Sequence, residues 1–259
     1  GFNGLSNKLL NILKKKKIDL IEDVCESHGA KFKNKKLGSF GLISNFSFYY
    51  AHHLSTIEGG MICTNNKEIY RIARMLRSHG MLRESGDLKF EANMIKKYNQ
   101  LSPKFIFMYP GFNMRNDEIS AVIGINQLKR LNKNNKKRNL NFKYFLKKLN
   151  GKLYFKNFDT NGISNYAFPL ILNKKYRYLR DKLENNMKLN GIEFRRGNAG
   201  GGNQIRQPYL KTYTKDLNVK NFPVVDHVHF YGYYIGNFPT LSFKTIDKVI
   251  KVINFIDTD

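Results

Sequence analysis

Residues Asn45–Thr64 read NFSFYYAHHLSTIEGGMICT and set two strand-like runs on either side of a polar turn. The runs are Asn45–Tyr50 and Met61–Thr64, with the pair His52 and His53 and the pair Gly59 and Gly60 between them. Apolar runs of this length, rich in aromatic and β-branched residues, are predicted as buried strands. Polar groups at the mouth of a turn between such strands are well placed to do chemistry. His52 is the residue whose role needs explaining.

Upstream, Ile18–Val24 (IDLIEDV) is an apolar run that ends in acidic residues, and it is predicted as a buried strand with Asp23 near its carboxyl end. Ligands gather outside the carboxyl ends of strands in parallel α/β sheets. A loop or capping aspartate is the plainer alternative. Residues 5–17 place Leu5, Leu9, Leu10, Ile12 and Leu13 at helical spacing and finish on four lysines, an amphipathic helix with cations against its dipole. Gly29–Leu37 reads as a polar connection.

Downstream, Asn66 is predicted to cap a helix running to about Ser78, with Ile69, Ile72, Ala73 and Leu76 on one face. The segment RSHGMLR (Arg77–Arg83) follows, then residues 84–108, whose mixed periodicity predicts an extended surface excursion. Tyr109–Arg115 (YPGFNMR) reads as a loop. Asn116 and Asp117 start a long helix that carries Ile119, Val122, Ile123, Leu128 and Leu131 and continues through Phe142, Phe145 and Leu146. A domain change is expected at its end, giving domains 1–145 and 146–259. The second holds a strand (Tyr166–Leu172), a helix (Tyr176–Leu189), a strand (Ile192–Arg196), a glycine-rich loop (Gly197–Gly202), a strand (Val228–Ile235) and a closing helix (Lys244–Ile256). This alternation predicts a small α/β domain.

At 259 residues, with 41% hydrophobic and 14% aromatic content, the chain can bury a sizeable core. No apolar run approaches the roughly 20 residues of a membrane helix. Nothing at the start has the pattern of a signal peptide, and with two cysteines, Cys25 and Cys63, a cytoplasmic protein with buried thiols is expected. The net charge of +25 raises a nucleic-acid reading. The lysines are spread among asparagines on helix faces and loops, however, and no RNA-binding signature, zinc finger or basic zipper accompanies them. No nucleic-acid partner is therefore expected.

The stretch RRGNAGGGNQIRQP (Arg195–Pro208) lacks the GK[ST] ending of a phosphate loop and reads as a surface connection. Arg195, Arg196 and Arg206 around it could grip a phosphate or carboxylate. His227 and His229 alternate on the expected strand, but two histidines without a third ligand do not make a zinc site. No metal is expected.

Four segments taken in order carry a family likeness. LIEDVCESHGA (Leu20–Ala30), LGSFGLISNFSFYYAHHLSTIEGGMICT (Leu37–Thr64), RSHG (Arg77–Gly80) and YPGFNMRNDEISAVIGINQLKRL (Tyr109–Leu131) resemble the sugar aminotransferase family of the fold-type I pyridoxal-phosphate enzymes. The resemblance implies an α/β fold of the aspartate aminotransferase-like type. A partial large α/β domain (1–145) would stand beside a small C-terminal α/β domain (146–259), in a homodimer with shared active sites. It places Asp23 against the pyridine nitrogen of the cofactor and Ser47 on the cofactor phosphate. It takes Asn113 to the phosphate in the partner subunit and adds His28 to the cofactor residues. Arg83, Arg115, His79 and Arg195 become candidates for the substrate.

The resemblance departs at one decisive position. Aminotransferases of this family carry there the lysine that bonds to the cofactor, and here the residue is His52. An imidazole has no primary amine, and its ordinary pKa of about 6.5 suits it to moving protons. That replacement marks the 3-dehydratase branch of the family. It implies pyridoxal and pyridoxamine phosphate as cofactor, glutamate as amino donor, and removal of the C3 hydroxyl from a GDP- or CDP-linked 4-keto-6-deoxyhexose in dideoxysugar biosynthesis. An iron–sulfur cluster needs about four cysteine ligands, and with Cys25 and Cys63 alone none is expected. Relatives are usually longer at the amino terminus, so the chain is expected to be truncated there. A nucleotide-sugar aminotransferase with its lysine elsewhere, and a catalytically incomplete homologue, remain the alternatives.

Overall fold

The structure is a computed structural model and describes residues 1–197, 201–213 and 217–256. It divides into two compact units, one of Asn3–Asn132 and one of Lys133–Asp259 joined by Gly1–Phe2.

The first unit opens with α1 (Asn7–Lys16), where Ser6 Oγ accepts from Leu9 N at 3.1 Å and three lysines fill the last turn. That is the expected pairing of cap and dipole. Its sheet is built from β1 (Ile21–Asp23), β4 (Ile43–Ser47) and β5 (Gly60–Cys63), in the order β1-β4-β5. β4 runs parallel to β1, with Asp23 in register with Asn45, and antiparallel to β5, with Ser47 opposite Gly60. Between β1 and β4, β2 (Lys31–Phe32) and β3 (Lys35–Lys36) form a small hairpin where only a polar connection was expected. Lys33 and Asn34 at its tip both have positive φ, 48° and 64°, as a two-residue type I′ turn requires.

The expectation of buried strands on both sides of the turn needs correcting. Ile21 in β1 and Met61 and Ile62 in β5 are exposed, and only Glu22 and Ser44 of this sheet are buried. β1 and β5 are the two edges of a three-stranded sheet; Ile21 and Ile62 lie on the face that carries Asp23 and Asn45, and Met61 on the opposite one.

After the sheet, α2 (Lys67–Leu76) is capped as predicted, with Asn66 Oδ1 accepting from Glu68 N at 2.9 Å and Ile69 N at 3.1 Å. Residues 84–108 are not an extended excursion. They contain α3 (Leu88–Lys97), whose first turn is capped by Asp87. α3 has no buried residue, so its apolar stripe is too faint to stand out in the sequence. The long helix α4 (Glu118–Lys148) follows, with Asp117 Oδ1 accepting from Ser120 N at 2.7 Å.

The second unit begins within α4. It contains β6 (Ala167–Ile171), α5 (Arg180–Leu189), β7 (Phe194–Arg196), α6 (Pro208–Lys211), α7 (Pro223–Tyr231), β8 (Gly232–Gly236) and α8 (Phe243–Asn254). The sheet order is β6-β8-β7, with both pairs antiparallel. Phe142 and Phe145 of α4, Leu170, Leu183, Met187, Tyr233, Ile246 and Ile253 form its core. Phe145 stacks on Phe168 with centroids 4.5 Å apart. Burying each such side chain stabilises the unit by about 1.5–3 kcal/mol.

His227 and His229 stand on helix α7, not on a strand, and the expected Val228–Ile235 strand holds only from Gly232 onward, as β8. Pro223 supplies a preset first helical turn, and pairing with β6 starts only at Gly232. Residues two apart on a helix point about 200° from each other. Accordingly His227 is buried against the Leu172 carbonyl, Nε2 to oxygen 2.7 Å, while His229 Nδ1 accepts from Asn203 N at 3.1 Å. The helix expected from Tyr176 begins as a 3-10 turn, Lys174–Leu179, before α5. Residues 198–200 of the glycine-rich loop lie outside the described residues.

Candidate active site

Residues alternate across a strand, so Asn45 and Ser47 share one face of β4. Asp23 shares that face through its register with Asn45. The Asp23 carboxylate is gripped where it stands: Oδ1 accepts from Asn45 Nδ2 at 3.0 Å and from Cys25 N at 3.1 Å. Asn45 Nδ2 also donates to Cys25 Sγ at 3.2 Å, which closes a three-residue cluster. Partial burial works to raise the Asp23 pKa, but the hydrogen bonds from Cys25 and Asn45 and the nearby His52 hold it below the usual carboxylate range. The Cys25 thiol is pushed up to about 11 by burial and by the Asp23 carboxylate, so it stays protonated. Both cysteines are free and partly exposed rather than fully buried.

His52 sits in the connection from β4 to β5, in a turn where its N–H donates to Tyr49 O at 3.0 Å. Its ring packs edge-on to Tyr49, with centroids 5.4 Å apart, and Nε2 lies 3.8 Å from Glu26 Oε1. Burial lowers the imidazole pKa, against the opposing pull of Glu26 and Asp23. The ring is therefore neutral at neutral pH. His53 faces inward and stacks on His28 at 5.6 Å, and His28 meets Phe46 and Phe48 edge-on. His28, predicted at the cofactor, thus lies in an aromatic nest at 3% exposure. Ser47 is half-buried at the end of β4, and its Oγ accepts from Tyr49 N at 3.2 Å. Farther along the connection Ile57 adopts φ 74°, a left-handed conformation uncommon for a β-branched residue.

A second group gathers around residues 77–84 and 107–115. Arg115 Nε donates to Ser78 Oγ at 2.6 Å, and its Nη2 lies 3.7 Å from Glu84 Oε1. Arg83 Nη1 donates to Lys104 O at 3.3 Å, and its guanidinium lies over Phe105. His79, at φ 59°, donates its N–H to Phe112 O at 2.7 Å, and Asn113 bridges to Ser78. Asn113, His79, Arg83 and Arg115 are all exposed. The structure therefore assembles Asp23, Ser47 and His52 around β1 and β4, and Asn113, His79, Arg83 and Arg115 around a separate pair of strand-like segments.

Arg195 is exposed on β7 of the other unit, in register with Tyr234. Its two expected companions are committed elsewhere. Arg196 Nε pairs with Glu184 at 3.1 Å, and Arg206 forks onto Asp226 at 2.5 and 2.9 Å. Among the described residues no group of three or more His, Cys, Asp or Glu could hold a metal ion. No helix among them is long and apolar enough to cross a membrane.

Sequence reasoning missed Glu22, Glu26 and Asn45. Glu22, buried at 7% exposure, accepts from the N–H groups of Gly38, Phe40 and Gly41 at 2.6, 2.6 and 2.7 Å, and so ties β1 to the turn before β4. A charged residue inside an apolar run is the signal for such a role, because a buried carboxylate needs several donors. Glu26 and Asn45 left no such signal, since their partners come from strand register and a distant turn.

Known proteins carry a similar sequence and fold. GDP-4-keto-6-deoxy-D-mannose 3-dehydratase of Escherichia coli O55:H7 is 36% identical over 240 residues, covering 91% of this chain and 60% of its own length. The structure of the E. coli enzyme with bound hydrated PLP superposes with a TM-score of 0.80 at 33% identity, over 95% of this chain and 63% of that one. A structure of GDP-4-keto-6-deoxymannose-3-dehydratase with a trapped PLP-glutamate geminal diamine gives 0.81 at 33% identity, over 95% and 64%. The chain thus spans about 60% of the length of the curated relative it matches. Asp23, Ser47 and His52 all lie inside one continuous family match, residues 6–254, and the chain belongs to the DegT/DnrJ/EryC1/StrS aminotransferase family.

Proposed function

We propose that this chain works as a nucleotide-sugar 3-dehydratase, removing the C3 hydroxyl of a GDP-linked 4-keto-6-deoxyhexose on the way to a dideoxysugar, such as those of lipopolysaccharide O-antigens. The observation that carries the reading is His52, a neutral, half-buried imidazole beside Asp23 and Glu26, at the position where the family resemblance expects a lysine. The likeness to the E. coli and related 3-dehydratases supports the substrate class.

The donor set fits pyridoxal and pyridoxamine phosphate. Asp23 offers a carboxylate held ionised for a protonated pyridine nitrogen, and Ser47 offers a hydroxyl for the phosphate on the same strand face. When bound, pyridoxamine phosphate supplies an amine for the C4 ketone and a ring that takes up electrons. The protein's share is positioning and proton transfer. His52 accepts a proton through its neutral imidazole and can return it to the departing C3 hydroxyl. His28, beneath Phe46 and Phe48, supports this face from below.

In this reading Arg83, Arg115, His79 and Arg195 bind phosphate and carboxylate groups of the nucleotide-sugar and of glutamate. Asn113 reaches the cofactor phosphate of a partner subunit in a homodimer with shared active sites. Its exposure, on segments separate from the Asp23 face, supports that assignment. Residues 1–145 then belong to the large cofactor-binding domain and 146–259 to the small one, in a cytoplasmic enzyme.

The test is incubation with pyridoxal phosphate, glutamate and GDP-4-keto-6-deoxymannose, followed by mass spectrometry. The expected product is lighter by one oxygen atom, with glutamate consumed in step. His52→Asn is expected to abolish it. Accumulation of an amino-sugar, or covalent fixation of the cofactor by borohydride, would establish an aminotransferase instead.

A further inference from the structure

Asp23 and Asn45 are twenty-two residues apart, yet the parallel register of β1 and β4 sets them side by side. The Asn45 amide is the group that joins the cluster. Its Nδ2 reaches Asp23 Oδ1 at 3.0 Å and Cys25 Sγ at 3.2 Å. The Cys25 N–H reaches the same Asp23 oxygen at 3.1 Å. One oxygen of the carboxylate is therefore bound from two directions, by a strand neighbour and by the turn that follows its own strand. A carboxylate with a single contact could rotate about its side-chain bonds; two fixed donors on one oxygen remove that freedom.

We infer that Asn45 is the positioning residue for Asp23: with Cys25 it holds the carboxylate in one orientation on the open face of the sheet, aimed at a cationic ring nitrogen. The inference rests on the cofactor reading above for what Asp23 meets, but the clamp itself rests on the geometry alone. An asparagine suits this place because its amide donates without adding charge. An aspartate here would set two carboxylates against each other, and an aliphatic residue would leave Asp23 with the Cys25 donors alone, all on one side. The remaining titratable groups near Asp23 are His52, which favours its ionised form, and the Cys25 thiol, which donates to it. Glu26 stands against His52 on the same turn.

The clamp is tested in the cofactor-free protein by carbon-detected NMR titration of Asp23 in the wild type, Asn45→Leu, Asn45→Asp and Cys25→Ser. Circular dichroism serves as the check on folding. Asn45→Leu, nearly isosteric but without donors, is expected to raise the Asp23 midpoint by about one pH unit. Asn45→Asp should raise it further, and Cys25→Ser, which keeps a donor and the backbone N–H, should move it least. A second readout is pyridoxal phosphate affinity followed by absorbance, expected to weaken roughly tenfold in Asn45→Leu, the equivalent of one pH unit of lost pairing. An Asp23 midpoint unmoved in a folded Asn45→Leu protein overturns the inference. Failure of the wild type to bind pyridoxal phosphate, with the Asp23 midpoint still raised in Asn45→Leu, would sink the cofactor reading and leave the clamp standing.

Discussion

The Glu26 carboxylate stands 3.8 Å from Nε2 of His52, so the base proposed for proton transfer has an anion at its flank. The two effects on the imidazole oppose each other. Burial lowers its pKa, while Glu26 and then Asp23 pull it upward, and burial wins. Glu26→Gln removes the larger upward pull, so the His52 midpoint is expected to fall further, by a few tenths to about one pH unit given the partial exposure of the pair. Proton NMR of the His52 ring in the two proteins measures this directly. The acid limb of the pH–rate profile should move the same way, because a base with a lower midpoint stays neutral to lower pH. A midpoint unchanged in Glu26→Gln would reduce the contact to mere proximity.

Ile57 offers a stability prediction of opposite sign to most substitutions. It holds φ 74° while its side chain is exposed at 67%. A left-handed conformation costs an L-residue about 1–2 kcal/mol, more so when β-branched. Little packing is lost on replacing a side chain this exposed. Ile57→Asn is therefore expected to stabilise the protein by roughly 1 kcal/mol, and Ile57→Gly by less, because glycine loses more backbone entropy on folding. Denaturant midpoints rank the three. Destabilisation in both variants would mean that the isoleucine makes a favourable contact outweighing its strain.

The elements that sequence patterning found best were those with local determinants. Asn66 and Asp117 announced α2 and α4 because their side chains satisfy the orphan N–H groups of the next turn, a bond written within three residues. The end of α7 reads as strand because His227 and His229 alternate ahead of the β8 run, while Pro223 and the packing of His227 on Leu172 decide for helix. The candidate site was half legible. Asp23, Ser47 and His52 stand in motifs, whereas Asn45 and Glu26 matter through contacts made across the sheet and between turns. The exposure of Met61 and Ile62 was not legible at all, since an apolar run does not say which of its faces finds a covering layer.

His227 predicts a pH dependence of stability. Its Nε2 contacts the Leu172 carbonyl at 2.7 Å, and Nδ1 accepts from Arg177 Nε at 3.1 Å, which requires the neutral ring. Burial lowers its pKa first, the Leu172 carbonyl opposes this, and Arg177 and Lys174 lower it further. Tyr231 stacks on the other side at 5.1 Å. The unfolded chain therefore binds the proton before the native one does. The stability this group contributes is complete above about pH 6.5 and is lost as pH falls through the lowered native value. His52 is lowered in the same direction and adds to the loss. A glutamine can offer an N–H to Leu172 and an oxygen to Arg177 without titrating. His227→Gln is expected to flatten the acid limb of thermal stability below about pH 6.5. An acid limb as steep as that of the wild type would move the source elsewhere.

Gly80 joins the two segments that carry the exposed half of the proposed site. It sits at φ 75°, and a Cβ added there would overlap the Tyr109 carbonyl, while Gly111 abuts the Gly80 N–H from the other segment. Gly80 N donates to Met75 O at 2.8 Å, and Met108 N donates to Gly80 O at 2.8 Å, so this glycine seats residues 107–115 against 77–84. Gly80→Ala must push those segments apart, at a cost of about 1–3 kcal/mol. The bond from Arg115 to Ser78 and the placement of Asn113 depend on that seat. Asp23, Asn45 and His52 are carried by β1, β4 and the connection after it, and they use none of these bonds. Gly80→Ala is therefore expected to weaken binding of a GDP-sugar roughly tenfold or more. The Asp23 and His52 titrations should stay where they are. Calorimetry with GDP-sugar, beside NMR of the two side chains, reads both halves in one protein. If the Asp23 and His52 midpoints move along with the lost affinity, the two groups form one mechanical unit and the division of roles between them fails.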